Sequence, residues 1–224
     1  MNLFYNRVTN FWVKDKSFTF LLAVLTIYIF GVIPLNREDN FSKIIFLLFY
    51  YLLLTAGIPF FLKRNKKLIV FLLFTFPFIF LLIELHYQSV WIQVVSDFFI
   101  ALFCLMLALI ILIRTFDMGR ISKWRVQGAI IVYLLVGLIF CLVYHSIFII
   151  SSEKAFSGLV GTHRKEFLYF SLCTLTTDGY GDILPLSSLA RSISNLEALA
   201  GQLYPAVLIA RLISMEFYAK KDQP

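Results

Sequence analysis

The chain is 224 residues long, 60% hydrophobic and only 15% charged, with 25 phenylalanines and a mean hydropathy of +0.86. A water-soluble domain of this size has no interior large enough to hide that apolar surface, so lipid must be its solvent. The formal charge of +7 does not imply nucleic acid, because the basic residues sit in short connections between apolar runs, where membrane topology explains them.

Six apolar segments approach or exceed the ~20 residues that a membrane-crossing helix needs. They run over 18–35, 44–62, 68–85, 93–113, 126–150 and 187–215. The first is too long for a signal-peptide core and no small-residue cleavage site follows it, so it reads as a retained span. Basic residues gather before it (Arg7, Lys14, Lys16), between the second and third spans (Lys63, Arg64, Lys66, Lys67), between the fourth and fifth (Arg114, Arg120, Lys123, Arg125), and after the sixth (Lys220, Lys221). On the opposite side Arg37 and Lys43 are balanced by Glu38 and Asp39, and residues 86–90 carry no Lys or Arg. The excess of positive charge on one side predicts that both termini are cytoplasmic.

The expected fold is therefore an all-α integral membrane protein of six transmembrane helices. Residues 1–113 form a four-span bundle. Residues 114–125, with Phe116, Met118, Ile121 and Trp124 among the basic residues, form a connector along the inner interface. Residues 126–224 supply a helix, a loop and a helix, and no soluble sensing domain is expected in these residues. The fourth segment, 93–113, contains no Arg or Lys, whereas a voltage sensor needs several arginines to carry charge through the field. Glu84 and Asp97 are read as interfacial acids, with an ion or proton site as the alternative. His86, His145 and His163 show no partner spacing, and His145, the one inside a span, is read as a packing residue. Cys104, Cys141 and Cys173 have neither metal-ligand nor disulfide spacing and read as small buried groups.

A shorter semi-apolar stretch, 164–176, cannot span and reads as a re-entrant helix. Irregular backbone at membrane depth is tolerated only where protein or a water-filled cavity surrounds it. The stretch leads into Thr176-Thr177-Asp178-Gly179-Tyr180-Gly181-Asp182, on the side that the charge count places outside. Asp-Gly and Gly-Asp pairs alone are common turn formers. Two glycines one residue apart also permit backbone angles that other residues resist.

With Phe170-Ser171-Leu172-Cys173-Thr174-Leu175 before it and Leu196-Glu197-Ala198-Leu199-Ala200-Gly201-Gln202-Leu203-Tyr204 after it, this segment resembles the pore of the tetrameric potassium-channel superfamily. The resemblance covers residues 126–215 and is nearest to small bacterial six-span members without sensor arginines. It implies a re-entrant pore helix and a selectivity filter, Thr177, Asp178, Gly179, Tyr180 and Gly181, between the fifth and sixth helices. One loop cannot surround an ion, so a homotetramer is implied, with K⁺ held by the backbone carbonyls of Thr177, Asp178, Gly179 and Tyr180. The Tyr180 ring would pack outward, Asp182 would sit at the outer mouth, and Thr174 and Thr176 would support the filter. Gly201 matches a gating-hinge glycine. Pro205, four residues on, deprives the Gly201 carbonyl of its helical partner, and a moving hinge and a static kink both fit.

The departure from the family is Asp178, where an apolar residue is usual. Its carboxyl either packs behind the filter, with Thr174 or a neighbouring hydroxyl as hydrogen-bond partner, or turns toward the ions. The expected function is passive conduction of K⁺, without enzymatic activity and with no cofactor beyond the permeant K⁺ itself. Lipid and other copies of the chain are the expected partners, nucleic acid is not, and a bacterial inner membrane is the expected location. With Asp178 turned inward the same architecture would pass Na⁺, divalent cations or cations without preference. A rival of another class is an intramembrane hydrolase of rhomboid type, which needs a serine nucleophile and a histidine at membrane depth. Ser157-Gly158 lacks the expected leading glycine and lies in an outer loop.

Overall fold

The computed structural model describes residues 16–33, 79, 83, 89–116, 123–151, 154–160 and 164–221. The predicted span 44–62, nearly all of 68–85, Glu84, His86, His163, the N-terminal 1–15 and connector residues 117–122 lie outside them. The other predicted segments fall on helices. α1 covers Lys16–Ile27 and runs on into a π-helical turn, Tyr28–Val32. α2 covers Val90–Thr115, α3 covers Lys123–Ile150, α4 covers Arg164–Leu175 and α5 covers Ser188–Lys221.

Among the described residues, α2 and α3 are long and apolar enough to cross a membrane. Their 26 and 28 residues give helices of about 40 Å at 1.5 Å per residue, longer than a hydrocarbon core of about 30 Å. The two run antiparallel. Thr115 meets Gly128 at one end, and Asp97 meets His145 at the other. A Cβ on Gly128 would lie 2.5 Å from Thr115 Oγ1 and 3.1 Å from Phe18 Cε1, so the missing side chain lets α1, α2 and α3 converge at one level. Leu21 and Leu25 of α1, Phe103, Leu107 and Ile111 of α2, and Ile131 and Leu135 of α3 fill the core between them.

The connection from α3 to α5 departs from the all-helical expectation. β1, Phe156–Ser157, pairs antiparallel with β2, Leu184–Pro185, with Phe156 opposite Pro185 and Ser157 opposite Leu184. The Leu186 N–H also donates to the Ala155 carbonyl at 2.7 Å. This clasp closes α4 and the segment after it into one loop. Gly158 has φ +83°, and a Cβ there would lie 1.8 Å from the Asp182 carbonyl oxygen, so both conformation and space require glycine.

α5 starts where the Ser187 hydroxyl oxygen accepts the Ala190 N–H at 3.1 Å, a side-chain N-cap. It continues unbroken through Pro205 and presents two faces. Ala190, Ser194, Glu197 and Gly201, at helical spacing, are buried against the rest of the chain. Leu189, Leu196, Leu199, Leu203 and Val207 are exposed on the single chain.

Candidate functional site

α4 ends at Leu175, and its last four carbonyls would normally lack partners. Each one has a partner here. Leu172 accepts the Thr176 N–H at 3.0 Å, and Thr174 accepts the Thr177 N–H at 3.1 Å. Cys173 accepts the N–H groups of Asp178 at 2.9 Å and Gly179 at 3.4 Å. Leu175, last in line, accepts the Tyr133 hydroxyl of α3 at 3.0 Å. The chain leaving α4 is thereby fixed at its base, and the negative end of the helix dipole faces it.

The segment 176–182 that follows is extended and irregular, and every residue in it is exposed on the single chain. Positive φ recurs at every second residue: Thr177 at +62°, Gly179 at +56° and Gly181 at +79°. Asp178 and Tyr180 between them do not share it. Such alternation turns successive carbonyls to one side of the strand. The two glycines adopt the left-handed region freely, but Thr177 is β-branched and is held there at a cost of about 1–3 kcal/mol. Strain of that kind persists only where the surroundings fix the backbone, as the bonds from α4 do.

The side chains of the segment turn back on α4. The Thr176 hydroxyl is shared between the Leu172 carbonyl at 2.7 Å and the Asp178 carboxylate at 3.1 Å. Thr174 donates to Phe170 O within its own helix at 2.8 Å, so the neighbour of Asp178 is Thr176 and not Thr174. The expected burial of Asp178 is not met within one chain, where this residue is exposed. Tyr180, 71% exposed, lies parallel to Tyr169 of α4, with ring centroids 6.3 Å apart. Tyr169 also hydrogen-bonds Asp182, and that contact holds its phenol above the ordinary range. Asp182 Oδ1 accepts the Ile183 N–H at 3.0 Å.

Behind α4 the buried face of α5 presents Gly201 and Glu197. A Cβ on Gly201 would lie 1.9 Å from the Leu175 carbonyl oxygen and 2.8 Å from its carbon. Gly201 is therefore required by the close approach of α5 to the end of α4, a reason that neither the hinge nor the kink reading supplies. Glu197 is fully buried and joins Tyr144 of α3 to Ser171 of α4. Tyr204 of α5 donates to Ala129 O at 2.8 Å, and its ring packs beside Tyr133.

At the other end of α4 the structure corrects two readings. Asp97 is 1% exposed and is not an interfacial acid. Its Oδ1 accepts Arg164 Nε at 2.8 Å, and its Oδ2 lies 2.5 Å from His145 Nδ1. His145 is thus an ion-cluster partner as well as a packing residue against Phe167. Sequence spacing hides this cluster because its three members come from α2, α3 and the start of α4. An acid inside an apolar span is nonetheless a signal in its own right, and it marks both Asp97 and Glu197.

Residues 132–217 match the family model described as an ion channel. A stretch of 93 residues, 42% of the chain, is 31% identical to the two-pore potassium channel 4 of Arabidopsis thaliana. The chain spans about a third of that protein's length, 31%. No solved structure matches the chain. The matches point to a channel and not an enzyme. α2 and α3 have the length and apolarity that a membrane span needs, and the matches support an ion-channel reading of residues 132–217. The hydrolase alternative falls with them, and Ser157 is a pairing residue of β1.

Proposed function

We propose that the chain is one subunit of a homotetrameric, K⁺-selective channel. In this reading residues 1–113 are a four-span bundle, 114–125 an interfacial linker and 126–224 the pore domain, with both termini in the cytoplasm of a bacterial cell. Thr177 to Gly181 form the filter, the carbonyls of Thr177, Asp178, Gly179 and Tyr180 replace the ion's water, and Asp182 raises cation concentration at the mouth. Thr176 supports the filter directly, and Thr174 does so only through its own helix. The alternation of positive φ at Thr177, Gly179 and Gly181, immediately after a helix whose carbonyls are all satisfied, carries the proposal.

Assembly follows from what one chain leaves uncovered. The filter segment and the leucine face of α5 are exposed together, and three further copies around an axis would cover both. The exposed Asp178 favours one rival, in which the carboxylates turn inward and select divalent cations. Its contact with Thr176 favours the first reading, because it draws the side chain back toward α4. Reversal potentials of the purified protein in planar bilayers, under K⁺/Na⁺ and K⁺/Ca²⁺ gradients, test the two. K⁺ preference retained in Asp178→Val supports the proposal. Ready Ca²⁺ conduction by the wild type, lost in Asp178→Val, overturns the K⁺ assignment.

A further inference from the structure

Glu197 lies on the buried face of α5 with no surface exposed, and no described Lys, Arg or His forms an ion pair with it. The groups that touch it are hydroxyls, with the Cys141 thiol and the Tyr133 phenol of α3 farther off. Tyr144 Oη of α3 lies 2.5 Å from Oε2, and Ser171 Oγ of α4 lies 2.5 Å from Oε1. Ser194, one turn earlier on α5, donates its one hydrogen to Tyr144 from the other side, and its Oγ also lies 2.9 Å from Ala190 O. Ser171 Oγ also lies 2.8 Å from the carbonyl oxygen of Gly137 in α3.

Counting protons favours the neutral acid. Three oxygen–oxygen contacts run in series: Tyr144 to Glu197, Glu197 to Ser171, and Ser171 to Gly137. Tyr144 and Ser171 supply one hydrogen each, and the Gly137 carbonyl has none to give. An ionised carboxyl would take both hydrogens and leave the Ser171–Gly137 contact without one of its own; a protonated carboxyl supplies the third and gives every contact one. Tyr144 then donates to Oε2, the carboxyl O–H at Oε1 donates to Ser171 Oγ, and Ser171 donates to Gly137. An ionised carboxyl buried without a cation would cost far more than this arrangement.

We infer that Glu197 is a protonated, neutral acid whose proton ties α5 and α3 to the pore helix and so positions the filter. Glu197 is a positioning residue; it acts on the filter through Ser171 and touches no ion. The inference rests on the channel reading of the site, but the protonation state does not. Four neutral carboxyls add no field to the pore. Four ionised ones would instead draw cations electrostatically, and this is the alternative that the experiment must separate. Because the proton belongs to the folded, assembled state, its contribution is present at neutral pH and is lost as pH rises and the acid ionises.

The test uses the full chain purified and reconstituted in lipid. Infrared difference spectra between wild type and Glu197→Gln, at neutral pH, report the carboxyl directly. A protonated carboxyl band present in the wild type and absent from the variant is expected; a carboxylate band in its place overturns the inference, whether or not the protein conducts. In bilayers, Glu197→Gln keeps conductance and K⁺ over Na⁺ preference at neutral pH, since the amide can donate to Ser171 and accept from Tyr144. Glu197→Ala lowers that preference roughly tenfold by leaving two hydroxyls unpartnered. Raising the pH lowers selectivity in the wild type and not in Glu197→Gln. A sharp loss of conductance in Glu197→Gln at neutral pH, or an alkaline response equal to that of the wild type, supports the electrostatic alternative and refutes the proton. Should the wild type pass no cations in any gradient while the protonated band is present, the channel reading fails and the charge assignment stands.

Discussion

Replacing Gly201 with alanine sets two effects of known size against each other. In a helix interior the substitution restores propensity worth about 1 kcal/mol. Against that, the new Cβ would lie 1.9 Å from the Leu175 carbonyl oxygen, 2.8 Å from its carbon and 3.1 Å from its Cα, all backbone atoms with no rotamer to give way. Clearing the oxygen to a 3.0 Å contact requires α5 to retreat from α4 by at least about 1 Å. Overpacking of this kind costs about 1–3 kcal/mol. The same oxygen accepts the Tyr133 hydroxyl, and disturbing that bond adds about 1 kcal/mol. The steric side wins, and a net loss of about 1–3 kcal/mol per subunit is expected. Because Leu175 is two residues from Thr177, the damage reaches the filter. Gly201→Ala should therefore lower the thermal midpoint of the detergent-solubilised protein and blur K⁺ over Na⁺ selectivity in bilayers. A variant as stable and as selective as the wild type, with only its open probability changed, would refute the packing argument and restore the hinge.

Other expectations follow from the same contacts. Asp97→Ala leaves His145 and Arg164 without their acceptor; a buried pair broken on one side costs about 3–5 kcal/mol, and the 19% exposure of Arg164 places the expected loss at the low end, read as a lowered thermal midpoint that Asp97→Ala/Arg164→Gln partly recovers. Tyr133→Phe keeps the ring beside Tyr204 but leaves the last α4 carbonyl bare, a loss of about 1 kcal/mol that denaturation at matched lipid content would detect. Conductance should vary only shallowly with voltage, because α2 carries one arginine, Arg114 at its end, and each gating charge is worth about 2.3 kcal/mol per 100 mV; a steep activation curve carrying several charges per subunit would contradict this.

Periodicity and apolar length made the long helices legible. The ends of α2, α3 and α5 lie within a few residues of the predicted segments, apart from the C-terminal extension of α5 to Lys221. The filter-like segment was legible because its signal is local, a run of specific residues whose backbone demands follow from glycine placement. What sequence did not reveal is non-local. Asp97, His145 and Arg164 are separated by 48 and 67 positions from one another's partners, and no spacing rule joins groups on three different helices. Gly201 carries a second property that sequence does not show. Its freedom of conformation is visible in sequence, but its lack of a Cβ matters only once Leu175 is known to lie against it. The β1–β2 clasp leaves no sequence signal, because two residues per strand are too few to show alternation.

α4 has 12 residues, too few to cross a membrane, and yet it must hold a strained backbone in register. Packing alone is a poor restraint against sliding, since apolar contacts are non-directional. The structure restrains the helix with polar ties at three heights. At its start Arg164 is paired with the Asp97 carboxylate, where the guanidinium makes the charged form of the acid tolerable. At mid-length Ser171 meets Glu197, where hydroxyls alone surround the acid and the neutral form is the tolerable one. At its end Tyr133 holds the Leu175 carbonyl. Two buried carboxyls within one fold therefore take opposite charge states for the same reason, the nature of their nearest partners. α2 supplies the tie at the start, α5 the one at mid-length and α3 the one at the end, and α3 also reaches the first through Cys141 and the second through Tyr144 and Glu197. A displacement of α2 is transmitted to the start of α4 and one of α5 to its middle, whereas a displacement of α3 reaches all three heights and so bears most directly on the filter.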